Sequence, residues 1–194
     1  MSDFRKLRAY LEARATFTEA EFAFLETLYV PLALTAGEFF QRAGEPATRA
    51  AFVTAGCLRI YVIGDDGKEH ILQFAPEDWW VGDPAGVIAP GAPAQCFIDA
   101  IEDSHLLTFD RAAHEQSMRV PGVAAGYRAG LERKGAATAE RIAGALSASA
   151  EERYEAFVRK YPSIVQRVPQ FMLASYLGVT PETLSRVRRN RSRA

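Results

Sequence analysis

The sequence is poor in residues that hold metals or form disulfide bonds. It has two cysteines, Cys57 and Cys96, and three histidines among 194 residues. Both cysteines lie in strand-like segments, so we expect small buried side chains rather than a disulfide or a metal pair. An iron–sulfur sensor needs about four cysteines and is excluded. A haem needs only one axial His or Cys, so haem sensing stays open, although no pattern favours it.

Long apolar runs and catalytic motifs are also missing. No apolar run reaches the roughly 18 residues of a membrane span, and the N-terminus is charged, so we expect a cytoplasmic protein without a signal peptide. The histidines His70, His105 and His114 are scattered, and none pairs with a second ligand at zinc-protease spacing. No nucleophile elbow or dinucleotide fingerprint occurs. We therefore expect neither a resident cofactor or metal nor an enzyme.

Charge is distributed unevenly along a chain whose net charge is only −1. Residues 164–194 hold six arginines and one acid, a net charge of +5, which leaves −6 for residues 1–163. A basic terminus on an acidic body is typical of a nucleic-acid contact surface. A solvated basic tail is the alternative interpretation.

The pattern of apolar residues divides the chain into three regions. Residues 2–26 predict two short helices, and the part from Asp110 onwards is helical. Between them, short β-rich runs alternate with glycine turns, and Asp66–Gly67 has the sequence of a hairpin turn. Such spacing favours a sandwich or rolled barrel over βαβ units. Strands are predicted at 28–34, 38–42, 50–54, 57–63, 70–75, 95–101 and 105–109.

A long helix is predicted from Pro121 to about Ser147. Its many glycines and alanines would let another helix approach closely, which suits a dimer seam. Burial against the parent sheet is equally compatible with them. Ser149 and Glu152 then form the capping box of a further helix.

Residues 168–189 have the pattern of a helix-turn-helix. Leu173, Ala174 and Leu177 share the buried face of the first helix. Gly178 provides the left-handed turn that ends it. Thr180 caps the second helix, with Pro181 at the first helical position.

The second helix has the composition of a DNA-reading helix. Leu184 and Val187 point inward, whereas arginine and glutamate side chains point outward, where Arg pairs with guanine and Glu with cytosine. Two short helices in an ordinary bundle would have the same spacing. The residues predicted at DNA are Thr180, Pro181, Glu182, Ser185, Arg186, Arg188, Arg189 and Arg191.

Three stretches together resemble the Crp/Fnr transcription regulators: residues 67–80, 150–154 and 174–186. The resemblance implies an α+β fold with N-terminal helices and an antiparallel β-roll (a double-stranded β-helix or jelly-roll of the cyclic-nucleotide-binding kind). It also implies a dimerisation helix and an all-α helix-turn-helix, here without a wing. The domains would be 1–120 (sensor), 121–148 (connecting helix) and 149–194 (DNA-binding).

The resemblance also locates an effector pocket and shows a departure in it. Family members that bind cyclic AMP carry Gly-Glu followed by an arginine that holds the phosphate. Here the acidic position is Asp83, which is expected to accept a ribose hydroxyl, and the arginine position is Ala94. We therefore expect no tight binding of cyclic AMP. The pocket residues would be Phe74, Gly82, Asp83, Pro84, Ala85, Gln95 and Cys96.

Two functions remain after these exclusions. The first is a homodimeric regulator that binds double-stranded DNA and has a small-molecule effector or none. The second is a small-molecule-binding module without DNA-binding activity. The adjacent Trp79 and Trp80 fit packing at a strand end better than stacking on a nucleobase.

Overall fold

The structure is a computed structural model that describes residues 2–83 and 91–191. The helices in this part are α1 (Ser2–Glu12), α2 (Glu19–Glu26), α3 (Arg111–Ser117), α4 (Pro121–Ser147), α5 (Ala150–Lys160), α6 (Gln170–Leu177) and α7 (Pro181–Arg191). The strands are β1 (Val30–Leu34), β2 (Phe39–Gln41), β3 (Arg49–Ala55), β4 (Leu58–Ile63), β5 (Glu69–Ala75), β6 (Trp80–Val81), β7 (Phe97–Ala100) and β8 (Ser104–Asp110).

The strands form two four-stranded sheets, in the orders β1-β8-β3-β6 and β2-β7-β4-β5. The pairs β1–β8, β3–β8, β3–β6, β2–β7 and β4–β7 are antiparallel. Alternate residues of both sheets meet in an apolar core that includes Val53, Leu58, Ile98 and Leu106, each fully buried. The predicted antiparallel β-roll is therefore confirmed.

Each of the seven predicted strands is present, with ends that differ by at most two residues. The two-residue strand β6 was not predicted, because two residues are too short to show alternation. Asp66 and Gly67 lie in the β4–β5 turn, where Gly67 has φ +75°. Cys57 and Cys96 are buried free thiols, as predicted.

The N-terminal helices cover one face of the roll. Thr18 and Glu21 form a capping box at the start of α2, and Leu7 and Leu25 are fully buried. They share a second core with Phe52 of β3. These apolar contacts hold α1 and α2 on the roll.

The contacts divide the chain into two units, residues 1–62 with 74–131, and residues 63–73 with 132–194. The first unit contains the roll, the N-terminal helices, α3 and the first part of α4. The second contains the turn between β4 and β5, residues 69–73 of β5, the rest of α4 and the three C-terminal helices.

The small residues of α4 are explained in part by burial within the first unit. A Cβ atom on Gly122 would lie 2.5 Å from the Phe17 ring, and one on Gly126 would lie 3.8 Å from Leu11. Glycine at 122 is therefore required by the close approach of Phe17. At this end of the helix, the two glycines therefore approach the N-terminal part of the chain and not the parent sheet.

The three C-terminal helices of the second unit pack through a small apolar core. Ser149 and Glu152 form the predicted capping box, and Tyr154 and Phe157 are buried on α5. Leu173 of α6 and Leu184 of α7 are 0% and 1% exposed. These buried side chains make the helix-turn-helix a packed unit.

Candidate nucleic-acid interface and effector pocket

The second helix of the helix-turn-helix, α7, begins as its sequence predicts. The Thr180 hydroxyl accepts a hydrogen bond from the Thr183 N–H at 3.2 Å, and Pro181 occupies the first helical position. Leu184 and Val187 are buried. The backbone groups at the start of α7 are thus capped, and its apolar face is covered.

The opposite face of α7 is open to solvent. Glu182, Ser185, Arg186 and Arg189 are all exposed, and they recur at the three- and four-residue intervals that place side chains on one side of a helix. The face therefore presents two guanidinium groups, a carboxylate and a hydroxyl, which are hydrogen-bonding partners for base edges and phosphates.

The remaining two arginines predicted at DNA lie partly against the protein. Arg188 is half-buried, and the Arg191 guanidinium carbon lies 5.9 Å from the centre of the Tyr154 ring. Arg188 therefore borders the exposed face of α7, whereas Arg191 lies at the end of the helix on the side of the buried Leu184 and Val187.

Local hydrogen bonds keep the Glu182 carboxylate charged. Its own backbone N–H and the Thr180 hydroxyl hold the pKa of Glu182 below its usual value. An ionised carboxylate at a helix N-terminus is also stabilised by the helix dipole. Near neutral pH the group is thus an acceptor, as contact with a cytosine amino group requires.

The turn between α6 and α7 is fixed by a residue that the sequence pattern did not reveal. Gly178 has φ +67°, the predicted left-handed conformation. Arg153 of α5 donates from Nη1 to the Leu177 carbonyl at 2.9 Å, which satisfies one of the open carbonyls at the end of α6. Arg153 sits on the half-buried side of a charged helix, so its helical pattern carried no signal for this contact.

In the predicted effector pocket, the Asp83 carboxylate is bonded to the protein itself. Asp83 is 5% exposed, and its Oδ2 accepts from the backbone N–H groups of Gln95 and Cys96 at 2.7 and 3.1 Å. The Cys96 Sγ lies 3.1 Å from the same oxygen. Oδ2 thus fixes the start of β7, and the acceptance of a ribose hydroxyl by Asp83 stays a prediction.

Other residues at the predicted pocket are buried by packing within the roll. Phe74 and Ala94 are 3% and 5% exposed. Gly82 lies so close to β3 that a Cβ atom would come within 2.8 Å of the Ala50 side chain. Pro84 and Ala85 lie outside the described residues. The structure thus brings together Asp83, Gln95 and Cys96, but through backbone hydrogen bonds.

A buried ion pair on the roll was missed by sequence reasoning. Arg59 on β4 donates from Nε and Nη2 to the two carboxylate oxygens of Asp99 on β7, at 2.7 and 2.9 Å. Both side chains are at most 10% exposed, and the guanidinium lies 4.3 Å above the Tyr61 ring. The only available signal was the cross-strand register that pairs 59 with 99.

Aromatic residues line a small cavity in the first unit. Tyr10 is one of the lining residues, and its buried hydroxyl has no hydrogen-bond partner among the described residues. Trp80 packs with Tyr10 and Phe52, and Trp79 packs against the roll core, so both tryptophans are packing residues as predicted. His114 lies between Phe109 and Tyr127, and burial lowers the pKa of its imidazole.

Neither a metal centre nor a membrane span is present within residues 2–83 and 91–191. No three His, Cys, Asp or Glu side chains lie close enough to hold a metal ion. No helix in the same ranges is both long enough and apolar enough to cross a bilayer.

Residues 31–119, which form most of the roll, match the cyclic nucleotide-binding domain family. Among solved structures, the c-di-GMP responsive global regulator CLP of Xanthomonas campestris is similar over 90% of this chain and 92% of its own, with a TM-score of 0.72 and 16% identity. FixK2 of Bradyrhizobium japonicum is similar over 84% of this chain and 84% of its own, with a TM-score of 0.70 and 20% identity.

A third structure, from Eubacterium rectale, is described as a regulator of the Crp/Fnr family. It covers 90% of this chain and 83% of its own, with a TM-score of 0.67 and 18% identity. The fold is that of the Crp/Fnr regulators. The resemblance predicted from the sequence is thus confirmed for the Crp/Fnr fold, including both the roll and the C-terminal helices. No curated protein sequence matches this chain.

Proposed function

We propose that this protein is a DNA-binding transcription regulator rather than an enzyme, and that α7 reads the major groove. The observation that carries the proposal is the two-sided character of α7. Leu184 and Val187 fix its back to the protein, whereas Glu182, Arg186 and Arg189 are exposed on the other side. A rigid, capped and charged helix is suited to contact base edges.

Dimerisation through α4 would place two reading helices on one operator. Three large apolar side chains of this helix, Leu131, Ile142 and Leu146, are 52%, 54% and 84% exposed. They are separated by about three turns and one turn, so they lie near one side of the helix. Burial of such residues against a second copy is favourable. In a dimer bound to successive major grooves, the two Glu182 side chains would be about 34 Å apart.

The roll would sense a ligand other than cyclic AMP, or serve as a scaffold. Ala94 offers no guanidinium to a cyclic phosphate, and Asp83 Oδ2 already accepts two backbone N–H groups. Arg59 does not replace the missing arginine, because two of its nitrogens are bonded to Asp99. Calorimetry with cyclic AMP should therefore give no heat of tight binding, and micromolar or better affinity would contradict this part of the proposal.

The DNA-binding part is tested with genomic fragments selected by the purified protein. On a selected fragment, Arg186→Ala should cost about 1–3 kcal/mol and relax sequence preference at one base pair, whereas Arg191→Ala should weaken all sequences alike. Wild-type affinity should fall as salt rises. Gel retardation and fluorescence anisotropy measure each effect.

Arg111→Ala provides the matched control. This exposed arginine pairs with Glu115 on α3, so its removal changes the net charge equally without altering α7. It should bind DNA like the wild type. If no fragment is retained, or if Arg186→Ala binds as tightly as Arg111→Ala, the protein is better described as a small-molecule-binding module.

A further inference from the structure

The outer edge of β5 is bonded by side chains rather than by another strand. β5 ends its sheet, and an edge strand presents N–H and C=O groups that need partners. The Ser175 hydroxyl of α6 accepts from the Ile71 N–H at 3.0 Å and donates to the Glu69 carbonyl at 2.8 Å. Arg141 of α4 donates from Nη1 to the Ile71 carbonyl at 3.1 Å.

This arrangement gives β5 contacts like those of a neighbouring strand. Residues two apart direct their backbone groups to the same edge of a strand. The Ser175 hydroxyl bonds at both Glu69 and Ile71, as one residue of an adjacent strand would do. Ile71 is 2% exposed, so its bonded groups are shielded from competing water. Hydrogen bonds in such a place resist exchange with solvent.

Arg141 of α4 contacts both α6 and β5. Its guanidinium carbon lies 5.1 Å from the centre of the Tyr176 ring, next to Ser175 on α6. Burial is the main cause that raises the pKa of Tyr176 to about 12, so the ring is neutral and its face is available to the cation. We call Ser175, Arg141 and the Glu69–Ile71 backbone the β5 latch.

We propose that the β5 latch sets the orientation of the reading helix relative to residues 69–71 of the same unit, an inference that rests on the proposed DNA-binding function. α6 is joined to α7 through the turn that Arg153 and Gly178 hold, so α7 follows the position of α6. Ser175 holds α6 on the Glu69 and Ile71 backbone groups of β5, all within the second unit. A rearrangement of β5 would therefore change the orientation of α7.

Hydrogen exchange of the Ile71 amide tests the latch without DNA. Four proteins are compared: wild type, Ser175→Ala, Ser175→Thr and Ser147→Ala. Ser175→Ala removes the acceptor of the Ile71 N–H, so exchange should become about tenfold faster. Ser175→Thr keeps a hydroxyl and should exchange like the wild type. Ser147→Ala removes a hydroxyl that bonds only within α4, to the Ala143 carbonyl, and is the control.

A second variant separates the two parts of the latch. Arg141→Gln removes the cation from the Tyr176 ring and shortens the reach to the Ile71 carbonyl. The surroundings of the Tyr176 ring should then change, which is measured as a shift of its aromatic NMR signals. Ser175 should still protect the Ile71 amide from exchange. If neither Ser175→Ala nor Arg141→Gln alters exchange or the Tyr176 signals, the latch does not exist in solution and the inference is wrong.

DNA affinity then tests the orienting role. Ser175→Ala should bind a selected fragment roughly three- to tenfold more weakly, because α7 must be ordered on binding. The slope of affinity against salt should stay unchanged, because no phosphate contact is removed. If the wild type binds DNA and Ser175→Ala exchanges faster but binds equally well, the orienting role is overturned. If the wild type binds no DNA, the proposed function fails, and exchange alone decides whether the latch exists.

Discussion

Arg59 of the roll and the arginines on the exposed face of α7 are used in opposite ways. In the roll, Arg59 is 8% exposed and is bonded at two nitrogens to the carboxylate of Asp99. On α7, Arg186 and Arg189 are exposed on the face opposite the buried core. The first guanidinium has its charge compensated inside the protein, whereas the other two present theirs to the surroundings.

The difference shows why an arginine count alone does not identify an anion site. A guanidinium recognises phosphate only when its donors are free to turn toward it. The roll has a buried arginine, Arg59, but its guanidinium is bonded to the carboxylate of Asp99. The helix-turn-helix instead collects arginines on a capped helix, which is the arrangement that nucleic-acid recognition needs.

The largest expected effect comes from breaking the internal pair. Asp99→Ala would leave the Arg59 guanidinium buried without its bidentate carboxylate. Removal of one partner of a buried ion pair costs about 3–5 kcal/mol, so the free energy of unfolding should fall by that amount. Urea unfolding followed by circular dichroism measures it.

Two further variants define what that loss means. Asp65→Ala removes an exposed carboxylate in the β4–β5 turn and should change stability by no more than about 0.5 kcal/mol. The double variant Arg59→Met with Asp99→Leu removes both charges and should recover most of the loss. A cost below about 1 kcal/mol for Asp99→Ala would show that the folded protein does not depend on Asp99 to compensate the charge of Arg59.

The helix-turn-helix was predictable because its determinants are local. Gly178, Thr180 and Pro181 specify the end of one helix and the start of the next within four residues. The three- and four-residue spacing of Leu184, Val187 and the charged side chains then fixes which face is exposed. The strands were predictable for the same reason, since alternation and turn residues are neighbours in sequence.

The missed features depend on residues that are distant in sequence. Asp99 lies 40 residues from Arg59, and Ser175 lies 104 residues from Ile71. Their pairing follows from strand register and helix packing, which a single sequence does not specify. For the same reason the hydrogen bonds between Asp83 Oδ2 and the backbone N–H groups of Gln95 and Cys96 were not predicted.

A smaller effect is expected at the turn that positions α7. Gly178→Ala would place a Cβ atom 3.6 Å from the Arg153 guanidinium, so no clash arises, but φ of +67° disfavours any residue with a side chain. The cost should be about 1–2 kcal/mol of stability.

Gly135 on α4 is the matched control, because a Cβ atom there meets nothing within 4 Å. Gly135→Ala should stabilise by about 0.5–1 kcal/mol. Thermal unfolding measures both, and equal signs would contradict the assignment.

The smallest expected effect is the change of the free energy of unfolding with pH. It tests His114 of the first unit, because an arginine keeps its charge throughout this pH range. Burial lowers the pKa of His114 below its ordinary value of 6.5, with a smaller opposing effect from Glu115. Below about pH 6.5 the unfolded chain therefore binds a proton that the folded protein binds less readily. The free energy of unfolding should fall as pH decreases from 7, until the folded imidazole is protonated as well.

His114→Phe keeps a ring between Phe109 and Tyr127 and should remove this part of the pH dependence. Urea unfolding of both proteins between pH 5 and 7.5, the range of histidine titration, gives the comparison, and parallel pH profiles would show that His114 titrates alike in the folded and unfolded states.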